Sequence, residues 1–98
     1  MLNSKQRAYL RGLANPLESI FQLGKGGIND EFITQIDQAL TKRELIKVSV
    51  LETSPVKARE AAGLVAEQTG AEPVQVIGGK FVLYRANKKL ENSIKLPR

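Results

Sequence analysis

Between a short apolar run and a helical pattern the chain reads LGKGGIND, residues 23–30, with glycine at positions 24, 26 and 27 and Lys25 among them. Glycine loses more conformational freedom on folding than any other residue, so such a cluster belongs where the backbone turns sharply or admits a close neighbour. The residues on either side say which elements it joins. Upstream, ESIFQLG is short and β-favouring, which predicts a strand over residues 19–23. Downstream, Asn29 can cap a helix whose first turn carries Asp30 and Glu31, where carboxylates complement the helix dipole. A strand, a tight glycine turn and a capped helix form the start of an α/β unit.

The rest of the chain continues the alternation. Ser4 can cap a first helix, KQRAYLRGL, in which Tyr9, Leu10 and Leu13 recur at helical spacing. Arg7 and Arg11 stand four apart and share one of its faces, and ANP breaks it before Pro16. In the second helix, Phe32, Ile33, Ile36, Ala39 and Leu40 form the stripe expected to be buried. LIKVSVLE alternates, with Ile46, Val48 and Val50 on one strand face. Ser54 and Pro55 read as the cap and first position of a third helix, with Ala58, Ala61, Ala62 and Val65 on its close-packed face and Gly70 at its end. EPVQVIGGKFVLYR is a hairpin around Gly78, Gly79 and Lys80.

The resulting order is α-β-α-β-α-β-β. Alternation implies parallel strands joined by helical crossovers, and the hairpin adds an antiparallel strand. We therefore expect a compact α/β sandwich with a four-stranded mixed sheet. Residues 1–86 would form the domain, and residues 87–98 a polar, basic C-terminal tail.

Charge narrows the class of partner. The net charge is +5, and it is distributed unevenly. Residues 1–18 carry Lys5, Arg7 and Arg11 against Glu18, and residues 73–98 carry six cations against Glu91. The middle, residues 19–72, is net negative, so both ends are basic and suit a polyanion. There is no cysteine and no histidine. Disulfides, thiolate metal sites and the usual nucleophile–base pairs are excluded, and carboxylates such as Asp30, Asp37 and Glu67 fall on caps and solvent faces rather than as a pair. An enzyme is not expected, nor any cofactor, metal or small-molecule substrate. No run is apolar enough for a membrane span, and the start lacks an apolar secretion signal, so a cytoplasmic protein is expected; a monomer is the expected state.

The loop admits two readings from its own residues. A helix entrance presents unpaired N–H groups and the positive end of a dipole, so Gly24–Gly27 with Lys25 could hold a phosphate. It could equally be a tight turn with Lys25 as solvated surface. It is not a Walker A loop, which requires G-x-x-x-x-G-K-[ST], and the glycine spacing fails the dinucleotide fingerprint. Glycine–lysine loops of this length occur in KH modules, where they clamp single-stranded RNA, but there they join two helices.

LANPLESIFQLGKGGINDEFITQIDQALTKRELIKVSV, followed by KAREAAGLVAEQTGAEPVQVIGGKFVLYR, resembles the CRM domain (chloroplast RNA splicing and ribosome maturation), in particular its free-standing bacterial YhbY-like members. The resemblance implies a fold similar to the C-terminal domain of translation initiation factor three. It also implies an RNA-contacting loop at Gly24, Lys25, Gly26 and Gly27, and a role on ribosomal RNA in precursors of the large subunit. Lys5, Arg7 and Arg11 would extend that surface if the first helix packs beside the loop, and Arg85, Lys88 and Lys89 would reach RNA as an arm. Lys47, Lys57, Arg59 and Lys80 are read as ordinary surface. Phe21, Phe32, Phe81, Tyr9 and Tyr84 are assigned to the core. The competing expectation is a protein-interaction adaptor in ribosome assembly, with RNA contact secondary.

Overall fold

A computed structural model of the chain describes residues 2–98. The elements run α1 (Ser4–Ala14), β1 (Phe21–Leu23), α2 (Asp30–Arg43), β2 (Leu45–Val50), α3 (Ala58–Thr69), β3 (Glu72–Ile77) and β4 (Lys80–Tyr84), in the order the sequence implies. Two helix starts differ from the expected ones. The cap of α1 is Asn3, not Ser4: its side chain accepts the Gln6 N–H at 2.8 Å, and the Gln6 side chain returns a bond to the Asn3 N–H, closing a capping box. The third helix begins at Ala58 rather than at Ser54–Pro55. The Ser54 hydroxyl instead donates to the Val56 carbonyl and accepts from the Val56 N–H, a local bond that competes with helix initiation. Asn29 caps α2 and Gly70, in the left-handed region, ends α3, both as expected.

The sheet order is β1-β2-β4-β3. Among the described residues only β1 and β2 form a parallel ladder; β4 lies between β2 and β3 and runs antiparallel to both. The alternation of elements suggested more parallel pairing than this. The cause is in β4 itself: Phe81, Val82, Leu83 and Tyr84 are all buried, so both faces of the strand need cover and it takes a central place. The edge strand β3 tolerates Pro73, and a register shift between Pro73 and Gln75 leaves Val74 unpaired. Val74 and Val76 therefore serve opposite faces of the sheet.

Two apolar layers result. On one face α2 and α3 cover Leu23, Ile46, Val48, Phe81 and Leu83, with Ala61 and Ala62 letting α3 approach the strands closely. On the other face Leu10 and Ala14 of α1 pack with Leu45, Val74, Val82 and Tyr84. Tyr9, assigned above to the core, is 43% exposed, whereas Tyr84 is buried. Residues beyond Arg85 also join this second layer: Ile94 and Leu96 pack against it, and the Pro97 carbonyl accepts a bond from the Gln6 side chain at 3.0 Å. Among the described residues no helix is long and apolar enough to cross a membrane.

Candidate nucleic-acid interface

Three loops meet at one end of the sheet. Residues 24–27 form a turn closed by a 3.0 Å bond from the Gly27 N–H to the Gly24 carbonyl, with Lys25 exposed at its tip. Gly27 has φ +69°, and a Cβ there would stand 3.1 Å from Cγ of Pro55. Glycine is therefore required twice over, by backbone conformation and by the close approach of the β2–α3 loop. A Cβ on Gly24 would touch Leu51 and Thr53 of the same loop. The β3–β4 turn completes the cluster, because the Val50 N–H donates to the Gly79 carbonyl at 2.6 Å. Exposed Lys25 and Lys57 are thereby carried on two loops that meet at this end of the sheet, and exposed Lys80 opens β4 just after the third.

The two helix entrances at this end are not equivalent. That of α2 is capped by Asn29, whose Oδ1 accepts the Phe32 N–H at 2.8 Å, and its first turn carries Asp30 and Glu31. Its positive end is largely satisfied from within the chain. Glu31 also lines the hollow of about 220 Å³ beside the loop, with Gly24, Gly26, Gly27, Asn29 and Gln35. Negative charge from Glu31 thus lies in the hollow, and the positive charge of Lys25 on its outer rim. The α3 entrance has Lys57 at the cap position, and among the described residues no side chain caps it. Lys57 and Arg59, read from the sequence as ordinary surface offset by Glu60, therefore flank backbone donors that no side chain caps, with Glu60 in the same first turn. The misplaced start of α3 hid this: with Ser54 as cap, those donors would have been satisfied.

The remaining sequence-derived candidates lie elsewhere. α1 packs on the face opposite α2 and α3, not beside the glycine loop. Its Arg7 donates to the Pro73 carbonyl of β3, at the opposite edge of the sheet from β1. Pro73 also lies toward the other end of the strands, where Leu45, Tyr84 and Glu72 are in register. That end is about 17 Å from Val50, taking roughly 3.3 Å per strand residue. Lys5 and Arg11 belong to the same helix. Arg85 is not a free arm: its guanidinium donates to the Asp37 side chain at 2.5 Å, to the carbonyls of Thr69 and Asp37, and to the Thr41 hydroxyl. Lys88 and Lys89 are exposed just after it.

Glu44, at the end of α2, organises this second region and passed unnoticed in the sequence. It is 1% exposed and adopts φ 63°, unusual for a residue with a side chain. Its carboxylate accepts from the Asn87 N–H at 2.8 Å, the Ser93 hydroxyl at 2.8 Å and the Ile94 N–H at 2.7 Å. Burial pushes this carboxyl up, but the Asn87 and Ile94 amides and the Ser93 hydroxyl outweigh it, leaving the pKa below its ordinary value. No local sequence pattern marks such a clasp, because its partners are more than forty residues away.

The CRS1/YhbY (CRM) domain model matches residues 2–85, and the chain belongs to that family. A Bacillus subtilis protein named "Probable RNA-binding protein YqeI" is 44% identical over 97 residues, covering 99% of this chain and 100% of its own length. A Haemophilus influenzae protein named "RNA-binding protein" is 36% identical, covering 99% of this chain and 96% of its own. The solution structure of a hypothetical Staphylococcus aureus protein, described as "a putative RNA binding protein", superposes with a TM-score of 0.82 at 49% identity, over 99% of this chain and 100% of that one. These three relatives are named for RNA binding.

Proposed function

We propose that the chain binds RNA by capturing its phosphate backbone at the three-loop end of the sheet, and that its target is ribosomal RNA in precursors of the large subunit. The observation that carries this reading is that exposed Lys25 and Lys57 stand on two loops that touch at Gly27 and Pro55, beside the uncapped entrance of α3. Backbone amides and lysines recognise phosphate without reading bases, so the interface favours RNA shape over sequence. The relatives' names support RNA as partner; the large-subunit target rests on the resemblance of the family.

The test is binding to large-subunit ribosomal RNA fragments across a salt series. The log–log salt slope of the native chain should be steep, and Lys25→Ala and Lys57→Ala should each reduce it by about one while lowering affinity uniformly across fragments. Gly26→Asp is a useful third variant, since a Cβ at Gly26 meets nothing closer than 3.8 Å and the fold should accept it. Unchanged slopes in all three would remove the loop end from the interface. Protein partners retained after nuclease treatment, together with unchanged slopes, would favour the adaptor reading.

A further inference from the structure

The two basic ends of the sequence meet in space, on the face that the glycine loop does not occupy. Ile94 and Leu96 enter the apolar layer beneath α1, Gln6 bonds the Pro97 carbonyl, and the Glu44 clasp holds Asn87, Ser93 and Ile94. The Gln6–Pro97 bond sets the C-terminal segment, with exposed Lys95 and Arg98 on either side of its last apolar residues, beside the first turn of α1, where Lys5 is exposed; Arg7 faces away and bonds the Pro73 carbonyl. Gathering like charges raises the local potential and opposes folding unless an anion relieves it. Glu72, which accepts the Leu2 N–H, and exposed Glu91 stand against these cations on this side. A second feature accompanies the charge. Tyr9 is 43% exposed on α1, four residues after Lys5 and so on the same helix face, with Leu13, 37% exposed, one turn further. An exposed aromatic beside cations is the combination that holds an unpaired base by stacking while its phosphates are neutralised.

We propose that the face built from α1 and the C-terminal segment is a second RNA-binding surface, specific for a single-stranded segment, so that one molecule holds a structured RNA at the loop end and an unpaired strand at the α1 face. This rests on the reading of the loop end given above. The two surfaces differ in chemistry: lysines and backbone donors at one, a stacking ring with cations at the other. They also lie on different ends of strands about 17 Å long, too far apart for one phosphate to touch both.

The experiment uses the full chain, a fluorescent uridine decamer and an unlabelled ribosomal RNA hairpin. Decamer binding is followed by anisotropy with and without saturating hairpin. The decamer should bind equally well in both conditions and to Lys25→Ala, and should weaken about tenfold in the double variant Tyr9→Ala/Lys95→Gln. Hairpin affinity of that variant should be unchanged, which also shows that it is folded. Displacement of the decamer by hairpin, or native-like decamer binding by the double variant, would overturn the second surface. Failure of the loop reading has a separate signature, unaltered hairpin binding by Lys25→Ala, and leaves the decamer result readable.

Discussion

The two ends of α2 treat charge and backbone strain in opposite ways. At its first turn the helix is open to solvent, capped by Asn29 and approached through a turn whose one residue of positive φ, Gly27, is a glycine. At its last turn the chain buries Glu44 and holds that residue at positive φ, with its carboxylate facing three donors from the C-terminal segment. The first end uses glycine to reach an unusual conformation without strain. The second accepts the strain because the carboxylate's bonds compensate for it. An exposed loop held this way can meet a ligand, whereas a buried clasp can only hold the protein's own parts together.

Removing the clasp should have the largest consequence. Glu44→Ala leaves two half-buried amides and a hydroxyl without their acceptor and a cavity in place of a buried side chain, and should cost about 2–3 kcal/mol in urea unfolding. Hydrogen exchange at Ile94 should quicken by more than at core amides, because the C-terminal segment is released locally. If Glu44→Ala unfolds at native urea concentrations, the clasp is decoration.

The loop end breaks differently. Gly27→Ala combines positive φ with a 3.1 Å approach to Pro55 and should cost about 1–2 kcal/mol. Gly26→Ala, with only an ordinary 3.8 Å contact to the Asn29 side chain and no positive φ, should stay within about 0.5 kcal/mol. Equal losses at the two glycines would mean that the loop's conformation is not what demands them.

A smaller effect belongs to Arg85. It joins α2, α3 and the end of β4, but Asp37 is 55% exposed, and solvent screens that ion pair. Arg85→Ala should cost about 1 kcal/mol, mostly through the lost bonds to the Thr69 and Asp37 carbonyls, and leave hairpin affinity unchanged. A large loss of affinity with native stability would restore Arg85 to the RNA interface.

Acidification gives the finest discrimination. The folded pKa of Glu44 lies below its unfolded value, so its contribution is fully present above about pH 4.3 and is lost as the pH falls through the lower, folded value. The stability gap between the native chain and Glu44→Gln should therefore be constant from neutral pH down to about 5 and narrow below about 4. A gap that widens on acidification would reverse the assigned direction.

How far the sequence could be read depends on the distance over which each feature acts. Asn29, Gly70 and the Gly78–Gly79 hairpin were legible because caps and turns are decided within a few residues. The start of α3 failed even locally, since Ser54 and Pro55 are as well suited to a tight turn as to a helix entrance. The placement of β4 between β2 and β3 had a signal, the unbroken apolar run Phe81–Tyr84, but the alternation of elements outweighed it.

The α-β-α-β-α-β-β order, the need for glycine in the strand-to-helix turn and the excess of cations at both ends follow from the sequence alone. They depend on backbone geometry, apolar periodicity and composition, which neighbouring residues set among themselves. Which cations share a surface was decided only in the tertiary structure. There Lys57 is placed on a loop that meets the one carrying Lys25, and the C-terminal segment with Lys95 is held beside the first turn of α1, which carries Lys5. The physical reason is that their positions are imposed by contacts remote in sequence: Pro55 on Gly27, Gly79 on Val50, and Glu44 on a segment more than forty residues away.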